Sequence, residues 1–380
     1  MTKTCLPPYD PQRLPAGVRS RFLPVNGLRL HILEAGFEEE NRPLVLLLHG
    51  FPELSYTWRH NLLPLARAGF HVVAPDMRGF GRTTGWEKDY DADLVPFAMP
   101  NQVADMVALT LALGYDRVYA VVGHDSGSMT AAHAALLRPD IFQRLVMMAA
   151  PFGGLPKVPG GGLCLGKDPI HDRLAALERP RKHYHIYYTE KEAASHLDVP
   201  PQGIRAFLRA YFHQKSADWE GNKPHLLNGW QAEAVQELPT YYIMDLDATM
   251  PESVAPYMPT EEQIQSCRWL TEAELAVYSE EFSRTGFQGG LNLYRCSGWG
   301  LNDQLLAAFA GKQIEVPALF IAGDADWCPY QRPGSLEAMR DTVCRDFRGI
   351  RIVSGAGHWV QQEQPERTNE LLIEFLQNTP

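Results

Sequence analysis

No stretch of this 380-residue sequence stays apolar for the roughly 20 residues that a helix needs to cross a bilayer. The longest apolar runs, Leu44–Leu48 and residues 145–150, have the length of strands. Cysteine is sparse: Cys5, Cys164, Cys267, Cys296, Cys328 and Cys344 are scattered with no Cys-x-x-Cys pair, a pattern that suggests neither a disulfide framework nor a zinc site. Long blocks of one charge are missing as well. The 35 basic and 45 acidic residues are interspersed, and their net charge of −10 argues against nucleic acid or an anionic membrane as partner. The N-terminal stretch carries Pro7, Pro8, Pro11 and Pro15 but no basic segment followed by an apolar one, so no secretory signal is read and a cytoplasmic location is expected.

What is present fits a folded enzyme. Apolar residues make up 45% and charged residues 21%, the balance of a globular protein rather than of a disordered or membrane-embedded one. The length exceeds the roughly 100 to 200 residues of a single domain, so two domains or one elaborated domain is expected. Short β-rich runs at 28–33, 44–48, 71–74, 118–122 and 145–149 alternate with helical stretches, the signature of a mainly parallel sheet with helices on both faces. One such helix is predicted over 101–113, with Val103, Met106, Val107 and Thr110 on one face and Gly114 as its stop.

After Pro151 the pattern changes. Gly and Pro cluster through residue 162, then helical stretches rich in Tyr, His and Trp follow, with no strand read until about residue 316. Two capping boxes, Thr260-x-x-Gln263 and Thr271-x-x-Glu274, open helices there. Strand character returns at 318–322 and 350–353, and an amphipathic helix over 366–376 closes the chain. This is the pattern of a core, 1–151 and 300–380, with a helical cap over 152–299 inserted in it; the cleft between them is the expected ligand site.

The run 118–122 leads into Gly123-His124-Asp125-Ser126-Gly127 and then a helical stretch over 128–137. Glycines two residues either side of Asp125 fit a strained strand-to-helix turn that pushes the middle side chain into a cleft. Taking Ser126 as the nucleophile would put His124 and Ser128 at the small positions, where a histidine crowds the turn. Taking Asp125 as a simple helix cap leaves the paired glycines unexplained. A carboxylate suits substitution at an sp3 carbon: serine would form an ether that water does not readily cleave, whereas aspartate forms an ester whose carbonyl water can attack. Epoxides and halogenated alkyl compounds are substrates of that kind.

Near the C-terminus, Ser354-Gly-Ala-Gly-His358-Trp359 delivers a histidine from a loop after a strand. The acid that completes such a set lies between nucleophile and histidine at the end of the preceding strand, and Ala322-Gly-Asp-Ala-Asp326 offers Asp324 and Asp326. Upstream, His49-Gly50-Phe51-Pro52-Glu53 follows another strand. Gly50 allows a turn that aims the Phe51 N–H into the cleft, where it and the Ser126 N–H would form an oxyanion hole. Phe51, Pro52 and Trp359 are expected to touch substrate. The run Asp76-Met-Arg-Gly-Phe-Gly81 is read as structural, with Asp76 and Arg78 fixing loops.

These motifs, in this order over roughly residues 20–375, resemble the α/β-hydrolase superfamily and more closely its epoxide hydrolase family. The His-Gly-Phe-Pro-Glu segment, the Asp-x-Arg-Gly-x-Gly segment and the aspartate elbow are shared with haloalkane and fluoroacetate dehalogenases. The cap segment from Glu281 to Arg295, Glu-Phe-Ser-Arg-Thr-Gly-Phe-Gln-Gly-Gly-Leu-Asn-Leu-Tyr-Arg, is similar to the epoxide hydrolase segment carrying one of two substrate-activating tyrosines, which implies that role for Tyr294. The second opens a Tyr-x-x-aromatic-aromatic segment; His183-Tyr184-His-Ile-Tyr187-Tyr188 matches it and implies Tyr184, with Tyr187 or Tyr188 as alternatives because Lys191-Glu192 stand where the family has Pro-Gly. The family pattern Gly-x-x-Asp places the acid at Asp326.

The resemblance therefore implies an α/β-hydrolase fold with an inserted helical cap. It implies an epoxide hydrolase in which Asp125 attacks the epoxide carbon while Tyr184 and Tyr294 protonate its oxygen. His358, balanced by Asp326, then activates the water that cleaves the ester. A phenol, with a reference pKa of about 10, keeps its proton near neutral pH and can donate it to an alkoxide. No cofactor or metal is expected, and the partners are an epoxide and water, in a monomer or homodimer. The alternatives are a haloalkane or haloacid dehalogenase using the same Asp125, His358 and Asp326, and a non-catalytic member of the fold that binds a small molecule.

Overall fold

The protein is described by a computed structural model covering residues 6–155 and 168–379. Cys5, Cys164 and the Pro/Gly-rich segment 156–162 lie outside the described residues; the other four cysteines are free thiols. Its strands are β1 (Arg19–Val25), β2 (Leu28–Ala35), β3 (Leu44–Leu48), β4 (His71–Pro75), β5 (Ala120–His124), β6 (Leu145–Met148), β7 (Arg181–His183), β8 (Ile243–Asp245), β9 (Ala318–Gly323) and β10 (Phe347–Val353). All but β7 and β8 join one sheet in the order β1-β2-β4-β3-β5-β6-β9-β10, antiparallel from β1 to β4 and parallel from there on. The parallel strands β3, β4, β5 and β9 are buried along their whole length, because helices cover both faces of such a sheet.

Register sets the site. Leu48 pairs with Gly123, His124 with Met148, and Val353 with Gly323, so the loops leaving β3, β5, β9 and β10 emerge along one edge, the carboxyl ends of the strands. Strand β1 is missing from the sequence reading. It is a partly exposed edge strand carrying Arg19, Arg21 and Pro24, and so shows no apolar run.

Helix α1 (Met99–Ala112) buries Val103, Met106 and Thr110, and Gly114 beyond its end takes φ +87° as the stop requires. Helix α2 (Ser126–Leu137) packs on β5 and β6 directly after the elbow. Between β6 and β9 lie helices that include α3 (Tyr184–Tyr187), α4 (Ile204–Lys215), α5 (Glu272–Thr285) and α6 (Gln288–Gly298). The expectation of no strand in this region is corrected: β7 and β8 form a separate antiparallel pair, each only three residues long and too short to show alternation. Thr260 and Gln263 cap each other reciprocally, as do Thr271 and Glu274, and a third box joins Thr249 and Glu252. Helix α6 meets the Asp76–Gly81 loop at Gly289 and Gly79, where a Cβ on either residue would collide with the other's backbone. A C-terminal helix, α7 (Pro365–Asn378), completes the structure, and among the described residues no helix is long and apolar enough to cross a membrane.

Candidate active site

Asp125 sits at φ +53° and ψ −122°, a region L-residues seldom occupy, between the end of β5 and the start of α2. The glycines hold it there by contact. A Cβ on Gly123 would strike the Gly127 carbonyl, and one on Gly127 would strike the carbonyls of Leu48 and His49. Asp125 occupies the cap position of α2, yet its carboxylate caps nothing. Instead Oδ1 accepts the Phe51 N–H at 3.0 Å, and Oδ2 faces His358 Nε2 at 3.4 Å.

His358 stands on the loop after β10. Its Nδ1 lies 3.2 and 3.3 Å from the two oxygens of Asp326, which follows β9 and also accepts the Cys328 N–H. Asp324 serves the turn instead, accepting from Ser354 Oγ and the Gly355 N–H. The histidine loop is fastened from two sides. The His358 N–H donates to the Lys215 carbonyl at the end of α4, an approach so close that a Cβ on Gly357 would collide with it. Glu363 accepts the N–H groups of Ala217, Gly357 and Trp359. Burial pushes its carboxyl up to about 8, against the pull of those three bonds.

Beneath the elbow, His124 Nδ1 faces Glu53 Oε2 at 2.6 Å and its Nε2 faces the His358 carbonyl at 2.7 Å. Both partners only accept, so both ring nitrogens carry protons and His124 is an imidazolium paired with Glu53. Burial opposes that charge and the Glu53 carboxylate outweighs it, raising His124 above the usual histidine range. Burial likewise opposes ionisation of Asp125, but His358, then Lys215 and His124, hold its carboxyl well below the usual carboxylate range. The nucleophile candidate is an anion at neutral pH.

Asp125 opens into a cavity of about 260 Å³ whose wall includes Ser126, Tyr184, His185, Tyr294, Gln331 and Arg332. The rings of Tyr184 and Tyr294 meet edge to face at 5.9 Å. Burial first, then the Asp125 charge for Tyr184 and the Tyr184 and Asp125 charges for Tyr294, push both phenols well above their ordinary range. They therefore carry protons at neutral pH. One turn of α3 separates the tyrosine alternatives: Tyr187 points to His196 at 3.3 Å, Tyr188 packs on Phe51 and Tyr294 in the core, and Tyr184 alone of the three lines the cavity. The Tyr184 hydroxyl also lies 2.8 Å from His185 Nε2.

The expected substrate contacts are corrected. Trp359 is fully buried, its indole N–H donating to the Phe212 carbonyl, and it is not part of the cavity lining. Neither are Phe51 and Pro52: the Phe51 ring packs among Phe80, Tyr188, Phe287 and Tyr294, so this residue reaches the site through its backbone. Asp76 and Arg78 fix loops as expected, Asp76 taking His31, Ser55 and the Arg82 N–H, and Arg78 forking onto Asp105.

Sequence reasoning missed Lys215, His185, Glu363, Arg332 and the Glu53–His124 pair. Lys215 is buried with its ammonium 4.9 to 5.7 Å from the rings of Tyr211, Tyr241, Tyr242 and Trp359. Burial would lower it, but Tyr211 and the carboxylates of Asp125 and Asp326 help to raise it, and it stays charged. Glu53, His124 and His185 stood in quoted motifs without being assigned a role; Lys215, Glu363 and Arg332 carry no local signal.

Residues 43–163 match the alpha/beta hydrolase fold family. The chain is 32% identical to epoxide hydrolase A of Mycobacterium tuberculosis, over 94% of this chain and 96% of that protein, and 29% identical to an epoxide hydrolase of Caballeronia sordidicola, over 95% and 94%. Among solved structures, an epoxide hydrolase from an endophytic Streptomyces superposes with a TM-score of 0.77 at 32% identity, covering 96% of both chains. Potato (Solanum tuberosum) epoxide hydrolase I superposes with a TM-score of 0.73 at 28% identity, covering 95% of this chain and 99% of that one.

Proposed function

This chain belongs to the epoxide hydrolases of the α/β-hydrolase fold, and from that premise we propose that it converts epoxides to vicinal diols through an ester on Asp125. Asp125 Oδ2 attacks a ring carbon, the carbon–oxygen bond of the epoxide breaks, and the freed oxygen takes the phenolic proton of Tyr184 or Tyr294. Oδ1, already held by the Phe51 N–H, becomes the ester carbonyl oxygen.

In the second step His358 Nε2 takes a proton from water, and the hydroxide attacks the ester carbon. Charge gathers on Oδ1, where the N–H groups of Phe51 and Ser126 receive it; Ser126 begins α2, so its N–H has no acceptor within the helix. The tetrahedral species collapses, the diol departs with the proton from His358, and the proton shed by the regenerated Asp125 restores the tyrosine. Asp326 orients the imidazole and balances its charge. One chain, with the core and cap divided at 152–299, supplies every group, and the scheme uses no cofactor or metal. The enzyme acts in the cytoplasm, as a monomer or homodimer.

The observation that carries the mechanism is that one cavity holds an ionised carboxylate and two protonated phenols. A nucleophile and its acids can meet one epoxide there. The test is the intact mass of a His358→Gln variant after exposure to aryl and alkyl epoxides and haloalkanes, since loss of the base strands the ester. Addition of a whole epoxide mass, mapped to the peptide containing Asp125, is expected. An alkyl adduct formed with loss of halide, or an adduct on any other residue, would sink the scheme.

A further inference from the structure

The two phenols of the cavity are not equivalent, because a histidine attends one of them. His185 lines the cavity beside Tyr184, and its Nε2 lies 2.8 Å from the Tyr184 hydroxyl. The same imidazole ring stands edge to face with Tyr294, centroids 5.1 Å apart, yet its hydrogen bond goes to Tyr184. The ring is held from below: the His185 N–H donates to Nδ1 of His183, the cap of α3, at 3.2 Å, and the two imidazoles pack edge to face at 5.0 Å. Gln331 is the other side chain that pulls on this phenol, and its amide already donates to Cys328 Sγ at 3.2 Å.

His185 is neutral at neutral pH, since burial and then the Arg332 charge press its imidazole down to about 3, with Asp125 opposing. A neutral imidazole has one proton and two nitrogens to hold it. With the proton on Nδ1, Nε2 accepts the phenolic O–H and keeps it from the cavity. With the proton on Nε2, the ring donates to the phenol oxygen, whose own O–H is then free for an epoxide oxygen. Once that proton has left, a phenolate remains in a buried site, where a charge without a donor is costly. The Nε2–H meets it at the separation already present.

We propose that His185 is a positioning residue for the ring-opening proton: it carries its own proton on Nε2, turns the Tyr184 O–H toward the epoxide oxygen and hydrogen-bonds the phenolate left behind. Tyr184 is then the phenol that ionises, and Tyr294 holds the same oxygen by a hydrogen bond. This rests on the ring-opening scheme above and names which of its two phenols gives up the proton. The Tyr184 O–H bond breaks, its proton forms the hydroxyl of the hydroxyalkyl ester, and His185 keeps its proton throughout.

Stopped-flow single-turnover traces, which separate ester formation from ester hydrolysis, test this. His185→Leu is expected to slow ester formation by about 10- to 100-fold, the size of a hydrogen bond to a charged group, and to leave hydrolysis near wild type. His185→Gln, whose amide places an N–H near the Nε2 position, should recover most of the rate. The loss should persist in full in a Tyr294→Phe background and vanish in a Tyr184→Phe background, a pattern that a packing defect does not give. A melting curve reports whether His185→Leu folds, and His185→Phe replaces it where it does not. Ester formation at the wild-type rate without the imidazole overturns the inference and leaves the ring-opening scheme standing. So does a His185→Gln variant as slow as His185→Leu, or an equal loss in both tyrosine backgrounds. An Asp125 peptide that carries no ester in His358→Gln overturns the scheme, and the inference with it.

Discussion

The Nε2 atom of His358 stands 3.4 Å from Oδ2 of Asp125. At that separation the imidazole helps to keep the carboxylate ionised, yet the contact is longer than a good hydrogen bond and leaves Oδ2 free to attack. The proposed nucleophile and base thus share one site, and the proposed scheme uses them in turn. In that scheme, once the ester has removed the charge of Asp125, the same imidazole nitrogen serves the water that attacks it.

This order of events fixes the origin of the oxygen atoms. In a single turnover in oxygen-18 water, with enzyme in excess, the label is expected in the Asp125 carboxylate and not in the diol, because Oδ2 leaves with the product. Mass spectrometry of the Asp125 peptide and of the diol reads both. Label in the first-turnover diol would mean direct attack of water on the ring.

Removing one phenol leaves the other to donate. Tyr184→Phe and Tyr294→Phe are each expected to slow ester formation by about 10- to 100-fold, and the double variant by 10³-fold or more, on the order of a lost general acid. Ester hydrolysis should stay near wild type. Tyr187→Phe, whose hydroxyl faces His196, should leave both steps unchanged. Stopped-flow single-turnover traces separate the steps, and a slowed second step would reassign the tyrosines.

Asp324 and Asp326 are two residues apart and do different work. Asp326→Asn should stall ester hydrolysis, by about 10³- to 10⁴-fold if its role matches that of the acid in acyl-transfer triads. Asp324→Asn loses bonds to Ser354 and Gly355 and should cost less than about tenfold in rate together with some stability. Equal losses in both variants would show that Asp326 also acts only on the loop.

Lys215 contributes a positive charge to Asp125 from a box of aromatic rings. Lys215→Met keeps the bulk and removes the charge. The Asp125 carboxyl should then rise, moving the acid limb of the ester-formation rate to higher pH, with a loss at neutral pH below about tenfold. An acid limb that does not move would show that the ammonium only fills space.

Glu363 gives a stability signature. Its carboxyl is pushed up to about 8 by burial, so between the ordinary carboxylate range and pH 8 the folded protein holds a proton that the unfolded chain has released. Stability therefore falls as pH rises through that window and levels off above it. Urea unfolding of Glu363→Gln across the same range should show a shallower decline than the wild type. Identical slopes would exclude Glu363 as the source.

The sequence by itself determined the order of the chemistry along the chain. Gly123-His124-Asp125-Ser126-Gly127 records a local backbone requirement, and so do the capping boxes at Thr260 and Thr271 and the Gly114 stop, because turn geometry and helix ends depend on residues within a few positions of each other. Tertiary structure decided what depends on distant neighbours. Which of Tyr184, Tyr187 and Tyr188 reaches the cavity follows from how one short helical turn is set against α6 and the elbow. Trp359, beside His358 in sequence, turns into the core because Phe212 and Lys215 pack around it. Lys215, Arg332 and the Glu53–His124 pair became part of the site only when strands and helices tens to hundreds of residues apart were brought to one sheet edge. No local pattern encodes a charge's distance from a carboxylate that far away in the chain.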